Sequence, residues 1–529
     1  MKKIKYLVIL FSAVLATSCS DSFLEKEPTS EFLAETMFEN SDKVLLTVTG
    51  CYGAMAEFYV NQSFIEREAF TDNASNFGSD PWGPINSDYS YSASYWDDLY
   101  TWVARCNYAI EGLSGMDESI MDMQVKNRSL GEVLSLKALA YHELTFRFGD
   151  VPYYDRLYST RSTINISRTP KSEIITTILS DLDKAITYLP SVTTYRGNAN
   201  EGRVSKETAQ AIKARILLFN GRFAEAATEA KKIIGASPVP FELTSDYALN
   251  FTKAGNNNKE GVLYIGRISG FIPSLGIKFN DAIAPKSSAL AVNGLGRNMV
   301  IQDLIDQYEL KDGTMPPVGQ LINSAELAEN RDSRLKATVL YNGCPPIGTF
   351  EFEGNEPGKM TYSGYAMRKY LNPIDAGVIP NDMGQNFNII RYADVLLMAA
   401  EGLIESDGNL AEAAGYINQV RQRPGVNLPT ITSVNKEQMR KALRHERRVE
   451  LAMEGWREYD LIRWKIFEEA LLYLYNNTDG ANGNNKNEPF DNFQFINDFT
   501  GWNDNYYLWP VPGSEFELNP NLGTNNPGY

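Results

Sequence analysis

The sequence predicts a mainly α protein: an α-solenoid of tetratricopeptide-like helix pairs packed against an irregular, loop-rich C-terminal half with a few short strands. Three observations carry this. Long stretches repeat apolar residues at helical spacing. Alanine-rich helix–turn–helix segments occur twice, around 204–234 and 391–423. Between them, residues 236–380 change to Pro, Gly and Asn with short apolar runs.

The chain begins with Lys2, Lys3 and Lys5, an apolar run from Tyr6 to Ala16, and the small residues Ala16, Thr17 and Ser18 directly before Cys19. This is the grammar of an export signal over residues 1–18. The run is shorter than the roughly 20 residues that span a bilayer, and no later run reaches that length. Small residues ending in a cysteine resemble the lipobox of bacterial lipoproteins, in which that cysteine becomes the lipid-bearing N-terminus. The polar sequence from Ser20 then serves as a tether, and several acyl chains on Cys19 give stable anchoring at about 0.8 kcal/mol per buried methylene.

In "LGEVLSLKALAYHELTFRFGDVPYYD", Leu134, Ala138, Tyr141 and Phe148 form one stripe, and Val133, Leu136, Ala140 and Leu144 another. A helix apolar on two stripes is buried between neighbours, and Gly149 followed by Pro152 stops it. "TPKSEIITTILSDLDKAITYLP" reads as a helix with a Thr cap, Pro170 at an early helical position and Pro190 as its close. "SKETAQAIKARILLFNGRFAEAATEAKKII" reads as helix, Asn-Gly turn, helix, with Ala211, Ala214, Ala227 and Ala230 where the two approach. The same pattern returns in "RYADVLLMAAEGLIESDGNLAEAAGYINQVRQR". Within 236–380, "GVLYIGRI" and "RLKATVLYNG" suggest strands. The organisation is thus a signal at 1–18, an N-terminal helical region at 19–235, and a C-terminal region at 236–529 with helices near 388–475.

Composition narrows the function. A formal charge of −16 argues against nucleic-acid binding and against a basic membrane-surface helix. Beyond Cys19 only Cys51, Cys106 and Cys344 remain, widely spaced, with neither a disulfide framework nor a zinc spacing. Only His142 and His445 are available for nucleophilic catalysis, each within a helical stretch, and no His-Glu-x-x-His, P-loop or dinucleotide fingerprint is present. No cofactor and no metal-ligating residue is assigned, and since no stretch shows the spaced oxygen ligands of a calcium loop, the sequence leaves open whether calcium assists binding.

Six stretches in order are similar to the SusD/RagB family: "SDSFLEKEPTSEF", "SLKALAYHELTFRFGDVPYY", "GRVSKETAQAIKARILLFNGRFAEAA", "IIRYADVLLMAAEGL", "LRHERRVELAMEGWREYDLIRW" and "LWPVPGSEFELNPNLGTNNPGY". The resemblance runs from Cys19 to Tyr529. It implies a SusD-like fold, no catalysis, and a lipoprotein of the outer membrane facing the cell surface. It also implies that the protein captures glycan, or peptide in RagB-like relatives, for a TonB-dependent transporter of the SusC/RagA type. A tetratricopeptide-like scaffold that only assembles envelope proteins is the alternative from another class.

"HERRVELAMEGWREYDLIRW" is the most charged stretch. Glu446, Glu450 and Glu454 lie one helical turn apart, and Arg447 and Arg448 can each reach a carboxylate three or four residues away. This reads as a helix locked to its neighbours by charge.

The stretch expected to meet a ligand is "FTDNASNFGSDPWGPINSDYSYSASYWDDLYTWVARCNY", with seven aromatics in residues 82–102 beside Asp72, Asn73 and Asn76. Sugars offer an apolar C–H face to flat rings and need short, fixed polar partners for their hydroxyls, which is what aromatics with Asn and Asp supply. Trp96, Leu99 and Tyr100 fall at helical spacing and are expected in the core. Trp82, Tyr89 and Tyr91, among Gly, Pro, Ser and Asn, are expected at the surface. The family resemblance adds that an Asp at the place of Asp72 contacts ligand in several members. It also implies that ligand sites draw on the C-terminal half, where Phe271, Phe279 and Asn280 are the candidates.

Overall fold

The computed structural model describes residues 37–38, 40–61, 64–75, 86–158, 164–269, 283–285, 290, 299–354, 363–373, 384–432, 435–470 and 504–529. Cys19, Asn76, Trp82, Phe271, Phe279 and Asn280 lie outside them.

Six helices open the described chain: α1 Ser41–Asn61, α2 Ser90–Gly115, α3 Met123–Phe148, α4 Lys171–Tyr188, α5 Lys206–Phe219 and α6 Phe223–Ile234. Each packs on the next in chain order, which is the stacking of a solenoid. Helix α3 is the axis of this half. Asp122 caps it, its Oδ1 accepting from Gln124 N and Val125 N at 2.9 and 3.0 Å. Gly149, at φ 72°, ends it in the left-handed region that a glycine adopts without a Cβ penalty. Both expected stripes are buried, from Val133 through Phe148.

The start of α4 differs from the sequence expectation. Pro170 is itself the cap residue, and Thr169 is drawn into a bridge with Val151. The capping oxygen comes from Asp150, whose Oδ1 accepts from Lys171 N at 2.8 Å.

After α6 the described residues leave the solenoid through the short helices α7 Gln302–Asp306, α8 Ala325–Glu329 and α9 Arg334–Thr338, and the described strands pair in antiparallel ribbons. These ribbons pair β1 Ala74–Ser75 with β3 Met299–Val300, β2 Gly261–Ile265 with β6 Phe387–Arg391, and β4 Val339–Leu340 with β5 Ala366–Met367. "GVLYIGRI" is strand, as expected. "RLKATVLYNG" is a helical turn before its two-residue strand.

The chain then returns to the solenoid. Helices α10 Tyr392–Glu405, α11 Leu410–Arg421 and α12 Lys436–Glu450 continue the stack, with α10 laid against α6. Gly402 permits that approach, since a Cβ there would stand 2.6 Å from the Phe223 carbonyl oxygen and 2.8 Å from Ala227 N. The solenoid is therefore continuous in space and interrupted in sequence. A five-residue turn leads to α13 Arg457–Arg463, and α14 Gly513–Leu518 lies near the C-terminus.

Buried charge fastens the irregular half to the solenoid. Glu450 accepts from Arg391 Nη1 at 2.9 Å, Arg423 Nη2 at 2.7 Å and Arg334 Nη1 at 2.9 Å. Glu454 accepts from Arg391 and from Lys369 Nζ at 2.9 Å. Glu458 is clasped by Arg147 and Arg67, and Arg463 by Glu401 and Asp460. The expected role of the charged segment holds, but Arg447 and Arg448 do not pair with the residues three or four positions away. Helix α12 ends at Glu450, so the carboxylates that follow leave its axis and meet arginines from other elements. Arg447 pairs with Asp394 at 2.7 Å and Asp460 at 3.1 Å, while Arg448 pairs with Asp303 at 2.6 Å. Breaking one partner of such a pair is costly, because the survivor stays buried and charged.

Candidate ligand-binding site

The two segments expected to meet ligand leave the described frame side by side. In the β1–β3 ribbon, Ala74 lies opposite Val300 and Ser75 opposite Met299. Beyond Ser75 the chain runs into residues 76–85, which contain Asn76 and Trp82. The chain entering at Met299 comes from the stretch that contains Phe271, Phe279 and Asn280. Antiparallel pairing at this point brings the roots of two sequence-distant segments within one strand spacing, about 4.8 Å.

The ribbon is rigidly rooted. Asp72 accepts from Arg457 Nε and Nη2, both at 2.7 Å. Arg448 donates through Nε to Asn73 Oδ1 at 2.9 Å and through Nη2 to the Asp72 carbonyl at 2.5 Å. Asn73 in turn donates to Glu68 Oε2 at 2.8 Å, and its carbonyl accepts from Ile301 N at 3.2 Å on the β3 side. Gly455 N donates to the other Glu68 oxygen at 2.7 Å. Burial alone would raise the Asp72 carboxyl, but Arg448 and Arg457 hold it down at about 2. Burial pushes Glu68 up to about 7 against its two donors.

This geometry corrects the reading of Asp72 and Asn73 as open ligand contacts. They are 4% and 0% exposed, with their polar atoms committed to Arg457, Arg448 and Glu68. They hold the β1–β3 ribbon in place. The residues missed from sequence are Arg448, Arg457 and Asp303. The Arg and Glu alternation at 446–458 marked Arg448 and Arg457 as structural, but nothing in their spacing pointed to Asp72, and Asp303 carried no signal.

The second root is aromatic. Past residues 76–85 the chain re-enters through Asn86, whose Oδ1 accepts from Asp88 N at 2.9 Å, and turns into α2. Tyr89 is half-buried, packed edge-on against Trp509 at 5.6 Å. Tyr91 is 37% exposed and lies between Phe70 at 5.6 Å and Tyr89 at 5.5 Å. Tyr91 therefore presents ring surface to the outside, whereas Tyr89 mostly supports it. Trp96 and Leu99 are buried as expected, and Tyr100 is half-buried.

Neither histidine sits in this region. His142 is buried beside Phe219 at 5.2 Å, and burial together with Arg215 lowers its imidazole to about 3. His445 Nε2 lies 2.8 Å from the Gln307 carbonyl oxygen. Cys51, Cys106 and Cys344 are buried free thiols. No described helix is long and apolar enough to cross a membrane, and no group of metal-ligating side chains occurs among the described residues.

Known proteins share this arrangement. Residues 274–529 match the model described as "SusD family", and residues 22–218 match one described as "Starch-binding associating with outer membrane". The SusD-like protein P2 of Formosa agariphila is 27% identical over 100% of this chain and 99% of its own length. A SusD-like carbohydrate-binding protein from Bacteroides fragilis superposes with a TM-score of 0.77 at 25% identity, covering 92% of this chain and 100% of its own. A laminarin-binding SusD-like protein shares the fold with a TM-score of 0.70 at 23% identity, covering 93% of this chain and 100% of its own. With both family models matched in order and this fold, the chain belongs to the SusD family.

Proposed function

We propose that the protein is a non-catalytic, surface-exposed glycan-binding lipoprotein, anchored through Cys19 to the outer membrane, that delivers oligosaccharide to a SusC/RagA-like TonB-dependent transporter. The observation that carries the site is the β1–β3 ribbon. It joins the roots of the two segments richest in candidate contacts, and Asp72 and Asn73 anchor it to α12 and α13. Trp82, Tyr91, Phe271 and Phe279 are proposed as ring surfaces and Asn76 and Asn280 as hydroxyl partners, with Tyr89 supporting Tyr91.

Several features support binding without chemistry. The conspicuous acids and bases of 446–463 are consumed in buried pairs, and His142 is held neutral in the core. The laminarin-binding relative and the carbohydrate-binding relative support glycan as the ligand class. The matched outer-membrane model and the lipobox-like leader support the location.

A glycan array probed with the mature chain lacking its lipid-bearing Cys19, residues 20–529, tests this reading, with chromatography of the bound glycan afterwards. Binding with unaltered glycan is expected. Released shorter products, or binding only to peptides, would overturn it.

A further inference from the structure

A second concave surface lies between the outer face of α2, residues 152–158 with Ile164 and Asn165, and the C-terminal stretch around α14. It encloses about 510 Å³, within the range of roughly 300–1,000 Å³ typical of ligand clefts. Tyr91 and Tyr100 are nine positions apart on α2, two and a half turns, so this groove faces the opposite side of the helix from Tyr91.

Its floor is a run of aromatic rings. Trp96 and Tyr100 have centroids 4.8 Å apart, Tyr100 and Tyr154 5.6 Å, and Tyr154 and Tyr158 5.5 Å. The tyrosine hydroxyls are fixed by the protein itself. Tyr100 donates to the Pro152 carbonyl at 2.9 Å, Tyr154 to the Ile164 carbonyl at 2.9 Å and Tyr158 to Asp155 Oδ1 at 2.8 Å. Fixed rings lose little entropy when a ligand covers them. The Arg156 guanidinium lies 5.4 Å from the Tyr158 centroid.

The far wall is also built. Asn165 Nδ2 donates to the Leu518 carbonyl at 3.1 Å, Asn521 Nδ2 to the Asn165 carbonyl at 2.6 Å, and Asn519 Nδ2 to the Ile166 carbonyl at 2.9 Å. These bonds hold Leu518, 56% exposed, across from the rings.

Asn107 also lines the groove, where its Nδ2 donates to the carbonyls of Tyr154 and Arg156 at 2.9 and 3.2 Å and fixes the backbone that carries the rings. Ring faces together with the carboxylates of Asp97 and Glu515, which line the same groove, are complementary to a polyhydroxylated ring with an apolar face.

We propose that this groove is a second saccharide site, taking a short neutral oligosaccharide segment against the rings of Tyr154 and Tyr158. The proposal rests on the glycan-binding reading and extends it: two sites on opposite sides of α2 hold one polymer with higher avidity than either alone.

The test is titration calorimetry of the mature chain with maltoheptaose, laminarihexaose, xylohexaose, mannohexaose and oligogalacturonide. Wild type, Trp82→Ala, Tyr158→Ala and Tyr158→Phe are compared, with melting temperature as the control for folding. For a glycan that binds, Tyr158→Ala should remove one of two sites, weakening it at least about tenfold. Tyr158→Phe should retain both sites, and Trp82→Ala should leave the groove site intact. Binding lost with Trp82→Ala and unchanged by Tyr158→Ala overturns the groove and leaves the glycan reading standing. No binding of any of the five glycans to wild type overturns both.

Discussion

Arg457 holds Asp72 through both carboxylate oxygens, each at 2.7 Å, although 385 residues separate them along the chain. This clasp fixes the β1–β3 ribbon to the start of α13. Asp72→Ala would leave Arg457 and Arg448 buried with a lost partner. It should cost about 3–5 kcal/mol of folding stability. Urea denaturation measures this, and an unchanged midpoint with lost glycan affinity would return Asp72 to a ligand-contact role.

Stability should fall in acid. Burial opposes ionisation of Glu260, Asp394, Glu458 and Asp72, yet their arginine partners hold all four at about 2. The unfolded chain takes up these protons first, near pH 4. The stabilisation is therefore present above about pH 4.5 and is lost as pH drops toward 2. Glu68, raised by burial to about 7, acts in the opposite sense and loses stability as pH rises from about 4.5 to 7. Melting temperature against pH should show a steep fall below about pH 4.5 and a shallow decline toward pH 7.

Gly402→Ala tests the joint between the two halves of the solenoid. The added carbon would meet Phe223 O at 2.6 Å, a backbone atom with little freedom to move. Overpacking of this kind costs roughly 1–3 kcal/mol. The same substitution at Gly415, where nothing lies within 4 Å, should instead be neutral or slightly stabilising. Equal effects at both positions would contradict the stacking of α10 on α6.

Cys19→Ala should move the protein out of the outer-membrane fraction without changing its melting temperature, since the tether precedes the helical scaffold. Lipid-bearing mutant recovered in that fraction would contradict the lipobox reading.

The sequence was legible where a pattern is local. Two apolar stripes and Gly149 defined α3, and the Asn-Gly turn defined the α5–α6 pair, because helix burial repeats every 3.6 residues. Distant pairing was not legible. The stacking of α10 on α6 depends on Gly402 meeting Phe223, and the residues between leave no periodic trace. Asp72 and Asn73 looked like ligand contacts because short polar side chains among aromatics suit a sugar. Their actual partners, Arg457 and Arg448, lie in a helix–turn–helix whose charges appeared self-sufficient. The aromatic groove was missed because Tyr100, Tyr154 and Leu518 come from three separate stretches, and only the fold brings them together.

The central claim is that the β1–β3 ribbon presents two distant segments to one ligand. A double-mutant cycle with Trp82→Ala and Phe279→Ala, read by calorimetric titration of a glycan identified on the array, tests it most directly. Each single change should weaken binding about tenfold with melting temperature nearly unchanged, and the pair should be non-additive by at least about 0.5 kcal/mol. Strictly additive effects, or a large drop in melting temperature with unchanged affinity, would contradict the account.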